Sequence, residues 1–364
     1  MAKRPRSVKP AMLETVRRRL EERERRLSPF AAKSFESRGR ERPEEVSSVR
    51  NEFQRDRDRI LHSKAFRRLK HKTQVFVAPA GDHYVTRLTH TLETSQVART
   101  IARALNLNED LTEAMSLGHD LGHTPFGHAG ESALAELLPE GFRHNEQSLR
   151  VVEKLENGGR GLNLTWETRE GILKHSKARE NILADGWGTA STLEGQIVKL
   201  ADSVAYLNHD IADAIRAGML AEEDLPSRAR ETLGTTHRDR IDALVLDIVG
   251  TSWAATGEEG GEDAPRISMS DEAAAATNEL RDFMFHNVYE WEGQLAEASR
   301  ARQVIHFLFE YYAAHPEALT SDFTRPDDAL VRRVADYIAG MTDLFALRTA
   351  EELGFPVQEL VLQR

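Results

Sequence analysis

Between Leu117 and Glu131 the chain places His119, Asp120, His123, His128 and Glu131 within fifteen residues, interleaved with Gly118, Gly122, Pro125 and Gly127. Imidazole nitrogen and carboxylate oxygen together suit a divalent transition metal such as Mn, Fe, Co, Ni or Zn. His119 and Asp120 are adjacent, so on a regular helix their side chains would diverge by about 100°. The glycines and the proline predict that a helix ends here, and a tight turn then lets neighbouring side chains converge on one ion.

One His-Asp pair supplies only two ligands, and two further segments offer candidates. His90 follows Arg87-Leu88-Thr89 at the start of a segment with apolar residues at Leu88, Leu92, Val97, Ile101 and Leu105. Asp202 lies where Leu193, Ile197, Leu200, Val204, Leu207, Ile211 and Ile215 advance by three or four, which is helical periodicity. Asp202, Tyr206 and Asp210 step by four along the other flank and so share a face.

His90, then His119-Asp120, then Asp202 resembles the H…HD…D signature of the HD-domain metal phosphohydrolases. The longer match, from about 60 to 215, is similar to the deoxynucleotide triphosphohydrolases among them, the dGTPase-like proteins. It runs through Lys64-Ala65-Phe66-Arg67-Arg68-Leu69, His71-Lys72-Thr73-Gln74-Val75-Phe76, Thr86-Arg87-Leu88-Thr89-His90, the Leu117–Glu131 stretch, Phe142-Arg143-His144-Asn145-Glu146-Gln147-Ser148, and Asp202 to Asp210. Weaker similarity continues in Leu280 to Tyr289.

The resemblance implies four metal ligands, His90, His119, Asp120 and Asp202, around one divalent ion. Manganese is the first candidate, with iron, cobalt, nickel or magnesium as alternatives. Such an ion keeps positions open for water and a phosphate oxygen. His123, His128 and His144 exceed the ligand set, and each suits either support of the ligands or proton transfer. The resemblance makes His128 the proton-transfer catalyst, oriented by Glu131, and puts His123 and His144 at the α-phosphate. The spacing of His128 and Glu131 allows a contact on one helix face.

A triphosphate needs cations, and Arg87, three residues before His90, is the first of them. Arg67, Arg68, Lys70 and Lys174 are further candidates. The resemblance also implies sugar readers: Gln74 and Asp210 at the 3′-OH, and Tyr206 beneath the deoxyribose. Two departures from the family pattern stand out. Ser203 occupies a position that is basic in some members, and Val85 one that is often Arg.

The expected reaction is attack of water on the α-phosphorus of a deoxynucleoside triphosphate, dGTP or several dNTPs, giving deoxynucleoside and inorganic triphosphate. Two rivals have other chemistry. One is an HD-type phosphodiesterase or nuclease acting on nucleic-acid ends. The other is a nucleotide-sensing protein without turnover. Relatives of this kind imply a homo-oligomer, hexamer or tetramer, and a second dNTP as allosteric activator.

Composition describes a globular chain: 364 residues, 40% hydrophobic and 30% charged, with no cysteine. Disulfides and thiolate metal sites are thereby excluded, and a cytoplasmic setting is expected. No apolar run approaches the roughly 18 residues of a membrane span, and the basic first twenty residues lack the apolar core of a secretion signal. Residues 1–80 hold 23 Lys and Arg against 11 Asp and Glu, whereas the rest holds 26 against 48. The basic segment suits a polyphosphate, a single-stranded nucleic acid, the acidic body of a neighbouring subunit, or plain solvation.

The periodicity predicts an all-α fold with at most a small β-hairpin over Thr73 to Asp82. A basic N-terminal arm is expected over 1–50, the HD core over 51–217, and a helical C-terminal region packed on it over 218–364. Within them, helices are expected over Asn51 to Lys70, Arg87 to Leu105, Leu111 to Leu117, Gly130 to Leu138, from the Phe142–Glu146 stretch to about Glu156, and over Trp166 to His175, Thr192 to Ala217, Ser270 to Phe285, Trp291 to Ala314 and Asp327 to Arg348. Residues 1–10 are expected to lack fixed structure. Residues 177–188 are expected to form a loop, and the acidic, glycine-rich 256–265 a mobile one.

Overall fold

A computed structural model describes residues 10–74, 85–176, 182–183, 188–258, 265–320 and 325–357. In chain order the helices are α1 (Pro10–Glu24), α2 (Glu52–Leu61), α3 (Lys64–Arg68), α4 (Arg87–Ala104), α5 (Glu109–Gly118), α6 (Gly127–Leu137), α7 (His144–Arg150), α8 (Glu156–Gly159), α9 (Trp166–Lys174), α10 (Leu193–Arg216), α11 (Ser227–Leu233), α12 (His237–Thr251), α13 (Asp271–Met284), α14 (Glu292–Ala314), α15 (Leu330–Ala339) and α16 (Asp343–Glu352). The fold is all-α. Among the described residues the only β pairing is two isolated antiparallel bridges, Arg40 with Thr165 and Thr73 with Thr86. The second of these flanks the expected hairpin, whose residues 75–82 lie outside the described residues. So do 1–9, most of the loop at 177–188, and 259–264 of the acidic loop.

α4 and α10 pack along each other, with α5 against both. Their apolar faces meet in the largest core, where Val97, Ile101, Leu111, Met115, Ile197, Leu200 and Val204 are buried. That core runs from Ala31 to Val288, so it takes in residues from all three expected regions. A second core joins α6 to α14, α15 and α16, and a third lies between α2, α3, α9 and the turn after α7.

Three expected helices differ. The segment 51–70 breaks at His62, because Ser63 starts a new helix by accepting a hydrogen bond on Oγ from the Phe66 N–H. The segment 327–348 breaks after α15 at Gly340, and Thr342 caps α16. After Arg150 the helix widens to π geometry over Val151–Leu155, and left-handed Asn157 and Gly158 distort the turn of α8.

Part of the N-terminal segment is tied to carboxylates of the helices that follow. Arg40 pairs with Glu52 at 2.7 Å and with the buried Asp56. Ser37 Oγ and the Arg38 N–H donate to Glu167, and the Ala32 N–H donates to Glu194 Oε1 at 3.0 Å. Glu194 also accepts from the Asn108 N–H at 2.9 Å, so one buried carboxylate ties the N-terminal segment to the cap of α5 and the start of α10.

Burial pushes the Glu194 carboxyl up to about 7. Its folded value thus lies above its unfolded value near 4.5. Between these values the folded state binds more protons than the unfolded, so stability falls as pH rises through the window. The neutral Glu194→Gln variant keeps an oxygen acceptor for both N–H groups and loses the titration. Its melting temperature should fall less between pH 5 and pH 8 than that of the wild type, by a few degrees in a thermal melt. An unchanged fall would show that Glu194 is ionised throughout.

Candidate functional site

The site forms where α4, the loop after α5, and α10 come together. α4 is fixed by Thr86, whose Oγ accepts from the Thr89 N–H while Thr89 Oγ accepts from the Thr86 N–H. This places Arg87 and His90 one turn apart, both buried. α5 ends at Gly118, and His119 Nδ1 donates to the Ser116 carbonyl at 2.6 Å, which turns Nε2 inward. Ser148 on α7 holds the loop by donating Oγ–H to the His119 carbonyl at 2.6 Å and accepting the Gly122 N–H at 2.8 Å. A Cβ at Gly122 would lie 2.1 Å from the Ser148 nitrogen, so only glycine lets the loop press this closely on α7.

The expected donor set converges. His90 Nε2 lies 3.4 Å from His119 Nε2 and 3.1 Å from Asp202 Oδ1. His119 Nε2 lies 3.3 Å from Asp120 Oδ1 and 3.8 Å from Asp202 Oδ1, and His90 Nε2 is 3.8 Å from Asp120 Oδ2. Metal–ligand bonds near 2.1 Å put neighbouring donors about 3 Å apart, so His90, His119 and Asp120 could hold a single divalent ion, with Asp202 Oδ1 close to both imidazoles. Burial alone would raise the Asp120 carboxyl, but His119, His123 and Arg87 hold it well below its usual range. Burial lowers His90, which leaves its ring nitrogen available as a donor.

A row of further imidazoles flanks the cluster. His123 Nε2 lies 3.3 Å from Asp120 Oδ1 and its ring stacks on His144 at 4.0 Å. Glu131 receives both His144 Nδ1, at 2.9 Å, and His128 Nδ1, at 3.2 Å. The environment drives this row apart. Burial opposes charge on both rings, yet Glu131 raises His144, while burial, Arg87 and His144 push His123 well below its normal value. One imidazole therefore holds a proton where its stacked neighbour does not, an arrangement that separates acid from base roles. The His128 side chain is 63% exposed and lines the cavity mouth.

A cavity of about 700 Å³ is bounded at once by His90, Asp120 and Asp202, by His123, His128 and His144, and by Gln74, Arg87 and Tyr206. Its volume is within the range of small-molecule sites. Arg87 donates Nη1–H to Asp120 Oδ2 at 2.9 Å, while its buried Nε and Nη2 have no partner among the described residues. Gln74 Oε1 is likewise buried and has no partner among the described residues. Asp210, expected at the sugar, is buried, does not bound this cavity, and accepts a hydrogen bond from the Tyr289 hydroxyl.

The other expected cations go elsewhere. Lys174 pairs with Glu170 at 2.9 Å and donates to the Thr189 carbonyl. Arg67 donates to the His62 carbonyl and Arg68 to the Gly340 carbonyl, and neither these nor Lys70 bounds the cavity. A larger cleft of about 1010 Å³, which includes Arg67, contains none of the clustered imidazoles.

Several participants have no role in the site expected from the sequence. His175 presents Nε2 3.3 Å from His144 Nε2 and 4.0 Å from Asp120. Arg281, Phe285 and Tyr289 bring the end of α13 to the cavity. Asp343, at the start of α16, accepts from the Phe126 N–H at 3.0 Å and from Thr73 through N–H and Oγ–H at 2.9 and 2.6 Å. It thereby fixes Phe126, left-handed at φ 61°, and with it the entry to α6, which carries His128 and Glu131. Buried Lys72 bridges the His123 and Ala339 carbonyls beside it.

Residues 87–217 match the HD domain and residues 267–352 match the phosphohydrolase-associated domain. The chain is 54% identical over 332 residues to a deoxyguanosinetriphosphate triphosphohydrolase-like protein of Caldanaerobacter subterraneus subsp. tengcongensis, covering 91% of this chain and 93% of the relative. Proteins of the same description from Desulfatibacillum aliphaticivorans and Ralstonia pickettii are 50% and 44% identical. These alignments cover 94% and 88% of this chain and 99% and 93% of the relatives.

Proposed function

Because the chain belongs to the HD-domain phosphohydrolases of the deoxyguanosinetriphosphate triphosphohydrolase-like family, we propose that it hydrolyses deoxynucleoside triphosphates to deoxynucleoside and inorganic triphosphate. The observation that carries this reading is the joint lining of one cavity by three kinds of group: the His/Asp donor cluster, the imidazole row and the Gln74–Tyr206 side.

His90, His119, Asp120 and Asp202 would hold a divalent ion, manganese in this reading, which when bound would supply Lewis acidity toward a phosphate and a water. Arg87 meets the phosphates with its unpartnered Nη2–H and Nε–H while its Nη1 restrains Asp120. His144, protonated against Glu131, donates toward the α-phosphate, and neutral His123 packs against it. His128, held by the same Glu131 carboxylate, gives a proton to the departing 5′-oxygen. Tyr206 sits beneath the sugar and Gln74 binds the 3′-OH, and Asp210 joins them once its hydrogen bond from Tyr289 is released.

The test is product analysis with purified protein, Mn²⁺ and each dNTP in turn. Stoichiometric deoxynucleoside and triphosphate are expected. Release of pyrophosphate or orthophosphate as the first product rejects the reaction type. Turnover of oligonucleotides without turnover of any dNTP favours a nuclease.

A further inference from the structure

Each ring that offers Nε2 to the donor cluster must carry its proton on Nδ1, since a ligating nitrogen is unprotonated and neutral imidazole has one proton. The partner of Nδ1 therefore sets the tautomer and the ring's direction. For His119 that partner is the Ser116 carbonyl of its own helix. His90 is different. Among the described residues its Nδ1 meets no carbonyl; it lies 2.9 Å from Nε2 of His209, a buried side chain on α10. With the His90 proton on Nδ1, His209 Nε2 accepts and His209 holds its own proton on Nδ1. That nitrogen lies 2.8 Å from Asp210 Oδ1, an electrostatic contact at an angle too poor for a hydrogen bond. The other Asp210 oxygen accepts from Tyr289.

We infer that His209 is the positioning residue of His90, and that it makes the ion affinity of the cluster depend on a side chain that touches neither ion nor substrate. The placement has a simple geometric origin. Seven residues, close to two turns, separate Asp202 from His209, so α10 presents both toward α4. One helix thus contributes a ligand, the anchor of a second ligand and the sugar-side residues Tyr206 and Asp210. The inference rests on the reading of His90 as a metal ligand and is independent of which phosphoester is cleaved.

Mn²⁺ alone is the probe, added to chelator-stripped full-length protein and followed by electron paramagnetic resonance of the free ion. His209→Gln carries an amide oxygen about where Nε2 lies and can accept the His90 proton. His209→Asn is also polar, but its amide is too short to reach. We expect His209→Asn to weaken Mn²⁺ binding by about ten-fold or more, the range typical for loss of a partner that orients a ligand. His209→Gln should stay within about three-fold of wild type. Equal affinity in all three proteins overturns the inference. Equal loss in both variants overturns it too, because it would reduce His209 to a packing role. A dNTP assay in parallel separates the claims: weakened ion binding in His209→Asn with no dNTP turnover in wild type would sink the proposed substrate and leave the role of His209 standing.

Discussion

Asp202→Asn should lower turnover by about three orders of magnitude and weaken Mn²⁺ binding by at least ten-fold, with little change in the fold. Asp202 is the cleanest ligand to remove. Asp120 is buried against Arg87, so its loss would strand a guanidinium and confound activity with stability. The Asp202 side chain is 15% exposed, and its Oδ1 faces His90 and His119 across 3.1 and 3.8 Å. Asparagine preserves shape and removes the charge that holds a cation between those imidazoles. Ion-based stabilisation of charge on phosphorus is worth several kcal/mol, and each 1.36 kcal/mol is ten-fold in rate, which gives the ~10³-fold figure. Steady-state kinetics over a Mn²⁺ series checks this, alongside melting curves of the stripped proteins. A variant with more than a tenth of wild-type activity would contradict the assignment of Asp202.

His128→Ala should lower kcat by about 10²- to 10⁴-fold, the range for loss of a positioned proton donor, with KM within a few-fold. The exposed ring contacts Glu131 at 3.2 Å and lines the cavity, and its removal leaves the donor cluster intact. Glu131→Gln provides a second, different signature. The carboxylate serves His128 and His144 together, and it is what raises His144 against burial. Without it His144 loses its proton at lower pH, so the alkaline limb of the kcat/KM profile should move toward acid. In His128→Ala that limb, where it reports His144, should stay in place. A KM-only effect in His128→Ala would assign the ring to substrate binding instead of proton transfer.

The candidate metal ligands that the structure brings together are legible in the sequence because each comes with a local reason. The His119-Asp120 pair sits at a glycine-marked helix end, and His90 and Asp202 sit on strongly periodic helices. Spacing on one helix also anticipated the His128–Glu131 contact. What pattern reading could not supply is contact between segments. It selected Lys174 for the phosphates, whereas the adjacent His175 is the side chain that faces Asp120 and His144; one residue is about 100° of rotation at the end of α9. His209 was recoverable in principle, seven residues after Asp202, but the four-residue strip of Asp202, Tyr206 and Asp210 hid it. Asp343 had no signal at all. Its role lies in backbone N–H groups more than two hundred residues away, which no periodicity encodes. The two helix breaks have the same character. Ser63 and Thr342 are caps, yet each sits inside a run whose apolar pattern continues through it.

The most direct measurement is hydrolysis of a dNTP in ¹⁸O-water, with mass analysis of both products. Attack at the α-phosphorus with loss of the 5′-oxygen puts one ¹⁸O into the inorganic triphosphate and none into the deoxynucleoside, and that is the expected result. Label in the deoxynucleoside, or in pyrophosphate or orthophosphate released ahead of any triphosphate, would contradict the account.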